Sequence, residues 1–321
     1  MKWKKVISTV LVGSLLASST LSGSTVVSAT EQPKPVLEVS FDRNTTEDES
    51  GNENHGTVEG EPEYVEGKFG KAIHLVNSVN REDKALQYVN FGQPEDLKFA
   101  DGNFSVMFWY KADYADVTEG AIVGNKYWKS GGNRGFTIGD MKEGITLNLA
   151  GDEAKKRKDT PRDPSATDNN WHHVAAVIDR SEEQTMTLYI DGDVAYGGEA
   201  VKSLADVKGS VDSSDFVLGA SNKDDGTKFL GVADAYVDEL KVYKEKLSAA
   251  QIAELGKLPE KTPGIMLKVN FNNETAEDLS GRENHGTVEG NPQFTDGISG
   301  KAIHLVNSKN REDEAVQYVN F

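Results

Sequence analysis

The sequence predicts an all-β fold, a sandwich or jelly roll closed by one short helix. Three observations point there. Short runs of alternating apolar residues recur between turn signals. The densest pair, Trp171–Ile178 and Thr185–Ile190, is apolar on both faces, so its sheet must be covered on both sides. A single amphipathic run, Leu247–Leu255, follows the last strand, with Ser248 in the N-cap position.

Residues 1–29 stand apart from that fold. Met1–Lys5 is basic, Val6 to Leu21 is apolar and small, and Val27-Ser28-Ala29 supplies a small-x-small cleavage point. This is the pattern of a secretory signal peptide. Ser and Gly interrupt the apolar run too often for a membrane span. The mature chain is expected to start near Thr30. Glu31–Pro35 leads into a strand at Val36–Phe41, followed by an oxygen-rich loop, Asp42–Gly56. Further strands are expected at Leu86–Phe91, Phe104–Tyr110, Ala121–Gly124, Phe136–Ile138 and Ile145–Leu149. Between them lies a Gly-rich loop, Asn125–Arg134, holding Trp128. Asp152–Asn170 reads as long, charged and irregular. In the hairpin that follows, Asp191-Gly192 is a tight turn, because Gly tolerates the positive φ that a primed turn needs. Phe216–Gly219 and Val237–Tyr243 complete the strands.

The 321 residues carry 35 Lys and Arg against 52 Asp and Glu, a formal charge of −17. Such a chain is repelled by nucleic acid and anionic membranes, and suits neutral ligands and divalent cations. The absence of cysteine excludes disulfides, thiolate metal sites and a Cys nucleophile. Export without cysteine points to a bacterial surface or medium.

An internal repeat sets the domain organisation. Val36–Phe91 recurs without a gap as Met266–Phe321, including SGNENHGTVEG from Ser50 as SGRENHGTVEG from Ser280. A convergent strand pattern would reproduce the apolar period but not His, Asn and Arg at fixed places. The reading is one domain over residues 35–257, a Pro-bearing linker at 258–264, and the N-terminal part of a second copy at 265–321. A few strands cannot bury a sandwich core. The second copy is therefore expected to be poorly ordered alone or to swap strands with another chain.

Two candidate sites follow from residue chemistry. In the acidic loop, Asp48, Ser50, Asn52 and Asn54 alternate, so their oxygens can converge on a hard cation such as calcium. The expected ligands are Asp42, Asp48, Asn54 and, if the closing strand meets the first, Asp238. The alternative is a turn in which Asp and Asn cap backbone N–H groups. The second candidate is a ligand surface of Asn125, Lys126, Trp128 and Asn133, completed by Arg157, Asp159 and Arg162. A flat aromatic would take the apolar face of a sugar, and amides and charges its hydroxyls. The alternative is that Trp128 pins its own loop. Trp171-His172-His173 puts its two His on opposite strand faces, so they cannot share a metal. No nucleophile motif lies near them.

Four stretches carry a family resemblance. They are SGNENHGTV with GKFGKAIHL, FSVMFWYKA, WHHVAAVIDR with LYIDGDVAY, and VDELKVYKEKLSAAQIAEL. In this order they resemble the LamG-like jelly-roll domains of the concanavalin A-like lectin/glucanase superfamily. The resemblance implies a secreted carbohydrate-binding module, often repeated, often with structural calcium and attached to an enzyme. Glucanases of that superfamily carry a Glu-x-Asp-x-x-Glu run of acids on one strand, from which the two carboxyls of retaining hydrolysis come. No such run exists in this chain. The expected function is thus a non-catalytic, lectin-like module that binds a polysaccharide or glycan. The alternatives are a surface adhesion or protein-interaction domain and, behind it, a glycoside hydrolase.

Overall fold

The computed structural model describes residues 32–77, 86–112, 119–128, 133–152, 156–223, 225–232, 234–257, 267–279, 284–298, 300–306 and 316–321. The signal-peptide and linker assignments lie outside these residues.

Two antiparallel sheets face each other. The larger runs β13 (Asp193–Val194), β12 (Thr185–Ile190), β11 (His172–Asp179), β6 (Phe104–Ala112), β18 (Asp234–Tyr243), β4 (Lys71–Val76) and β3 (Glu63–Glu66). Off that path, β1 (Leu37–Val39) pairs with β18, and β14 (Val201–Ser203) with β12. The second sheet runs β10 (Arg157–Asp159), β9 (Gly144–Ala150), β8 (Gly135–Met141), β7 (Glu119–Gly124), β15 (Phe216–Leu218), β5 (Tyr88–Gly92) and β2 (Thr57–Glu59). Two short strands, β16 (Ser221–Asn222) and β17 (Lys228–Phe229), pair with each other.

Alternation places the core. Phe104, Val106, Phe108 and Tyr110 of β6 join Val174, Ala176 and Ile178 of β11 in the layer between the sheets. Phe136, Ile138, Ile145, Leu147 and Leu149 meet them from the second sheet. Odd positions of the same strands, Met107, Ala175 and Val177, face outward against Leu247 and Ile252. The helix α1 (Ala249–Leu255) therefore covers the back of the larger sheet, which explains why its central hairpin is apolar on both faces. Ser248 caps α1 in a full capping box with Gln251. The Asp191-Gly192 turn has φ of 53° and 87°, as a primed hairpin turn requires.

His172 and His173 do part company across β11. His172 sits between Asp191 (2.8 Å) and Asp168 (2.9 Å). His173 is buried against the end of α1, where a Cβ on Gly256 would stand 2.7 Å from its Nδ1. Burial pushes the His173 imidazole down to about 4 from 6.5. The fold holds the neutral ring, so its stabilisation is complete above 6.5 and is lost as pH falls towards 4, at most about 3 kcal/mol. Urea midpoints of wild type and His173→Leu between pH 7 and pH 4 check this: the variant should lose less stability on acidification. An equal loss would reject the assignment.

The repeat also recurs as hydrogen bonding. In the second segment β19 (Thr287–Glu289) pairs with β22 (Tyr318–Asn320), and β20 (Gln293–Asp296) with β21 (Lys301–His304). Their registers match those of β2 with β5 and β3 with β4. In the first copy these pairs belong to opposite sheets and enclose core between them. In the second segment Leu305 and Phe321 stand 42% and 55% exposed, where Leu75 and Phe91 are buried.

Candidate functional site

The four expected metal ligands separate into two clusters. Asp48 spends its carboxylate on backbone donors. Oδ1 accepts from Glu38 N (3.0 Å) and Ser50 N (2.9 Å), and Oδ2 from Asn54 N (3.0 Å). The Asp48 N–H donates to His55 Nδ1, and the Asn54 amide donates to Val36 O at 2.8 Å. This cluster ties the loop to β1, an edge that would otherwise leave peptide groups unpaired. The second segment repeats it, with Asp278 accepting from Lys268 N and Asn284 N and donating to His285. Asp48 and Asn54 thus follow the turn-capping alternative.

Asp42 and Asp238 come together elsewhere, as clasps on the Gly67–Lys71 turn. Asp42 Oδ1 accepts from Lys71 N at 2.8 Å, and Asp238 Oδ2 from Phe69 N at 2.9 Å. Glycine is required at both ends of the turn. A Cβ on Gly70 would lie 2.0 Å from Asp42 Oδ1, and one on Gly67 2.6 Å from Asp238 Oδ2. Antiparallel pairing of β1 with β18 brings the two segments together, with Val39 opposite Leu240. A bulge in β18 follows Asp238, with Glu239 at φ 51°.

Asp238 is 0% exposed, and its Oδ1 has no hydrogen-bond partner. Burial, with Glu239 and Asp42 nearby, pushes its carboxyl up to about 8 against the opposing Phe69 hydrogen bond. Burial likewise raises Asp42. A buried acid with an idle oxygen beside a second acid suits a hard cation. Among the described residues no group of three or more His, Cys, Asp or Glu forms a metal cluster. The pair would therefore need neutral oxygens to complete a calcium shell.

The expected sugar surface is covered. Trp128 is 8% exposed, and its ring lies over Gly139, where a Cβ would stand 2.1 Å from the indole. The Gly135, Thr137 and Gly139 face of β8 is low enough for the loop to lie on it. Asn125 is buried, accepting from Phe136 N (3.0 Å) and donating to Val211 O (3.2 Å). Lys126, 2% exposed, donates to Asn148, which donates in turn to Asp159. Burial pushes the Lys126 amine down to about 7. Arg157 Nε pairs with Asp159 at 3.1 Å, and Asn133 donates to Tyr127 O at 3.0 Å. The structure thus connects Lys126 and Arg157 through Asp159. It makes Trp128 a packing residue, because an indole this size gains more by covering the glycine notch than by facing water.

A family model described as the concanavalin A-like lectin/glucanases superfamily matches residues 83–253. The chain belongs to that superfamily. The chain is 26% identical over 170 residues to the non-toxic nonhemagglutinin type A of Clostridium botulinum. That match covers 50% of this chain and 13% of the relative. Three solved structures share the fold. The binding domain of Paraclostridial Mosquitocidal Protein 1 superposes with a TM-score of 0.53 at 16% identity, covering 88% of this chain and 69% of its own. Domain 4 of AbnA, a GH43 extracellular arabinanase from Geobacillus stearothermophilus solved with arabinotriose, gives 0.50 at 20% identity, covering 71% and 100%. The botulinum neurotoxin serotype D domain solved with N-acetylneuraminic acid gives 0.51 at 13%, covering 89% and 68%. No helix among the described residues is long and apolar enough to cross a membrane.

Proposed function

We propose that this chain is a non-catalytic, lectin-like carbohydrate-binding module of an exported bacterial protein, serving a larger extracellular enzyme. One observation carries the reading: the chain has the lectin/glucanase fold without the paired acids of a glucanase. Retaining hydrolysis needs two carboxyls about 5–5.5 Å apart across the scissile bond. Among the described residues three carboxyls have pKa values raised to about 7 or 8, Glu49, Asp140 and Asp238. They share no strand. Asp140 sits between the sheets on the Tyr110 hydroxyl (2.5 Å), Asp238 under the Gly67–Lys71 turn, and Glu49 beside Ser40. Titrating the full chain with a panel of oligosaccharides, in calcium and in EDTA, tests the module. Binding without release of reducing sugar is expected. Reducing sugar released from glucans, and lost on replacing one acid, would return the chain to the hydrolases.

Calcium enters the proposal as a structural ion held by Asp42 and Asp238. Its contribution would be positive charge at the Asp238 carboxyl, which with Asp42 clasps the Gly67–Lys71 turn. Shallow sugar sites bind weakly, so a second copy would serve avidity.

The exposed apolar side chains of residues 267–321 favour a second reading, a surface that meets another protein. Its simplest partner is another copy of this chain, swapping strands. Light scattering of residues 30–321 should then give a dimer or larger, and residues 30–256 a monomer. Equal monomeric masses would remove the swap. If no glycan binds either, an adhesion or protein-interaction role takes precedence.

A further inference from the structure

The hairpin end of the larger sheet carries an aromatic ring and a carboxylate that the fold does not use. After the Asp191-Gly192 turn and β13, the chain enters Tyr196-Gly197-Gly198 with φ of 52°, 62° and 96°. A left-handed run suits the two glycines. A tyrosine in that region is an outlier that needs a holder. The holder comes from a distant segment. Asp163 accepts the Tyr196 N–H on Oδ2 and the Ser165 N–H on Oδ1 (2.8 Å). Burial works upward on the Asp163 carboxyl, but these bonds hold it below the usual value, so it is ionised.

The outcome is a ring set outward. Tyr196 is 49% exposed. Neither its ring nor its hydroxyl has a partner among the described residues, and the Asp193 carboxylate is equally unused. Both open on a cavity of about 610 Å³ whose wall includes Asp163, Asp191, Ile190 and Val194. That volume lies in the range of small-molecule sites, roughly 300–1,000 Å³.

We propose that this cavity is the sugar subsite of the module and takes an uncharged ring, stacked on Tyr196 and hydrogen-bonded through its hydroxyls to Asp193. The proposal rests on the carbohydrate-binding reading above and adds the place and the charge of the ligand. A sugar ring has an apolar face that packs on an aromatic, and hydroxyl donors that a free carboxylate accepts. Ile190 and Val194 supply apolar contact. Charge supplies the selectivity. Asp163, Asp191 and Asp193 line the cavity with no Lys or Arg among its lining residues. The carboxylate of a sialic acid would meet like charge there, at a cost in affinity. Asp191 is already bonded to His172, and Asp163 to backbone, so the field is fixed in position while Asp193 is the lining carboxylate left to bond the ligand.

Calorimetry on the full chain tests this with arabinotriose, xylotriose, cellotriose, mannotriose, chitotriose and sialyllactose as probes. At least one neutral trisaccharide should bind and sialyllactose should not. Tyr196→Ala should weaken the neutral ligand about tenfold or more, and Asp193→Asn less so. Tyr196→Phe should retain most of the affinity. Thermal midpoints of all three variants should match wild type, since both side chains are exposed. If a neutral sugar binds all variants equally, the module reading stands and this subsite is rejected. If no sugar binds, both are rejected. If sialyllactose binds through Tyr196, the charge selectivity is rejected.

Discussion

Asp238→Asn will make the protein more stable than wild type in EDTA, by an amount that grows with pH, and will abolish stabilisation by calcium. The unfolded Asp238 carboxyl ionises near 3.8, whereas the folded one keeps its proton until about 8. Below 3.8 both states are protonated and the group is neutral towards folding. Above it, the unfolded chain binds fewer protons than the folded one, so wild-type stability falls as pH rises through this window. The loss is about 1.4 kcal/mol per pH unit and approaches 5 kcal/mol at pH 8 as an upper bound. Asn keeps an oxygen for the Phe69 N–H and never ionises, so the variant escapes the loss. The cation proposed for the Asp42 and Asp238 pair would remove the same penalty in wild type by binding the ionised form. Millimolar calcium, the range of extracellular modules, should therefore raise the wild-type midpoint more at pH 8 than at pH 5. Guanidinium denaturation of both proteins at pH 5 to 8, with and without calcium, measures all four terms. A wild-type to variant difference that is flat with pH would remove the buried-acid assignment. Calcium stabilising both proteins alike would remove the ion from this site.

Periodicity was a good guide to the layers because burial on a strand is a local property. β6, β11, β12 and β18 announce themselves by alternation, and Ser248 with Gln251 marks the start of α1 before any tertiary contact is known. Short strands such as β3 and β14 do not, since three or four half-exposed residues carry no period, and β16 is only two residues long. The candidate sites were harder to read for a different reason. Counting oxygens in Asp42–Asn54 takes no account of the backbone N–H groups that compete for them. Asp48 is consumed by three such donors, and only the distant β18 reveals that Asp42 has a partner. Trp128 looked exposed because glycines surround it. The glycine that matters is Gly139, on the strand beneath, and its signal was the run Gly135, Thr137, Gly139, small residues along one strand face. Tyr196 had only Gly197-Gly198 to mark it. Its holder, Asp163, sits in the charged stretch that reads as irregular.

Trp128→Ala will cost about 3–5 kcal/mol of stability and leave the affinity of the folded protein for sugar unchanged. The indole covers Gly139 on the outer face of β8, and its backbone N–H donates to Ser221 Oγ at 3.0 Å. Ser221 in turn donates to Lys126 O, also at 3.0 Å. Removing the ring opens a cavity over Gly139, which has no side chain to fill it, so relaxation is slight and the cost lies in the range for large aromatic truncations. Lys126, whose amine is held down by burial, meets this network only through its backbone carbonyl. Tyr196→Ala should behave in the opposite way, losing affinity without losing stability. The pair separates two uses of an aromatic in a Gly-rich loop: one ring filling a notch in its own sheet, the other left for a ligand. Urea midpoints and sugar titrations on both variants decide it. Weaker sugar binding by a still-folded Trp128→Ala protein would place the ligand on β8 after all, and Asn125, Lys126 and Asp159 would regain the role their chemistry suggests.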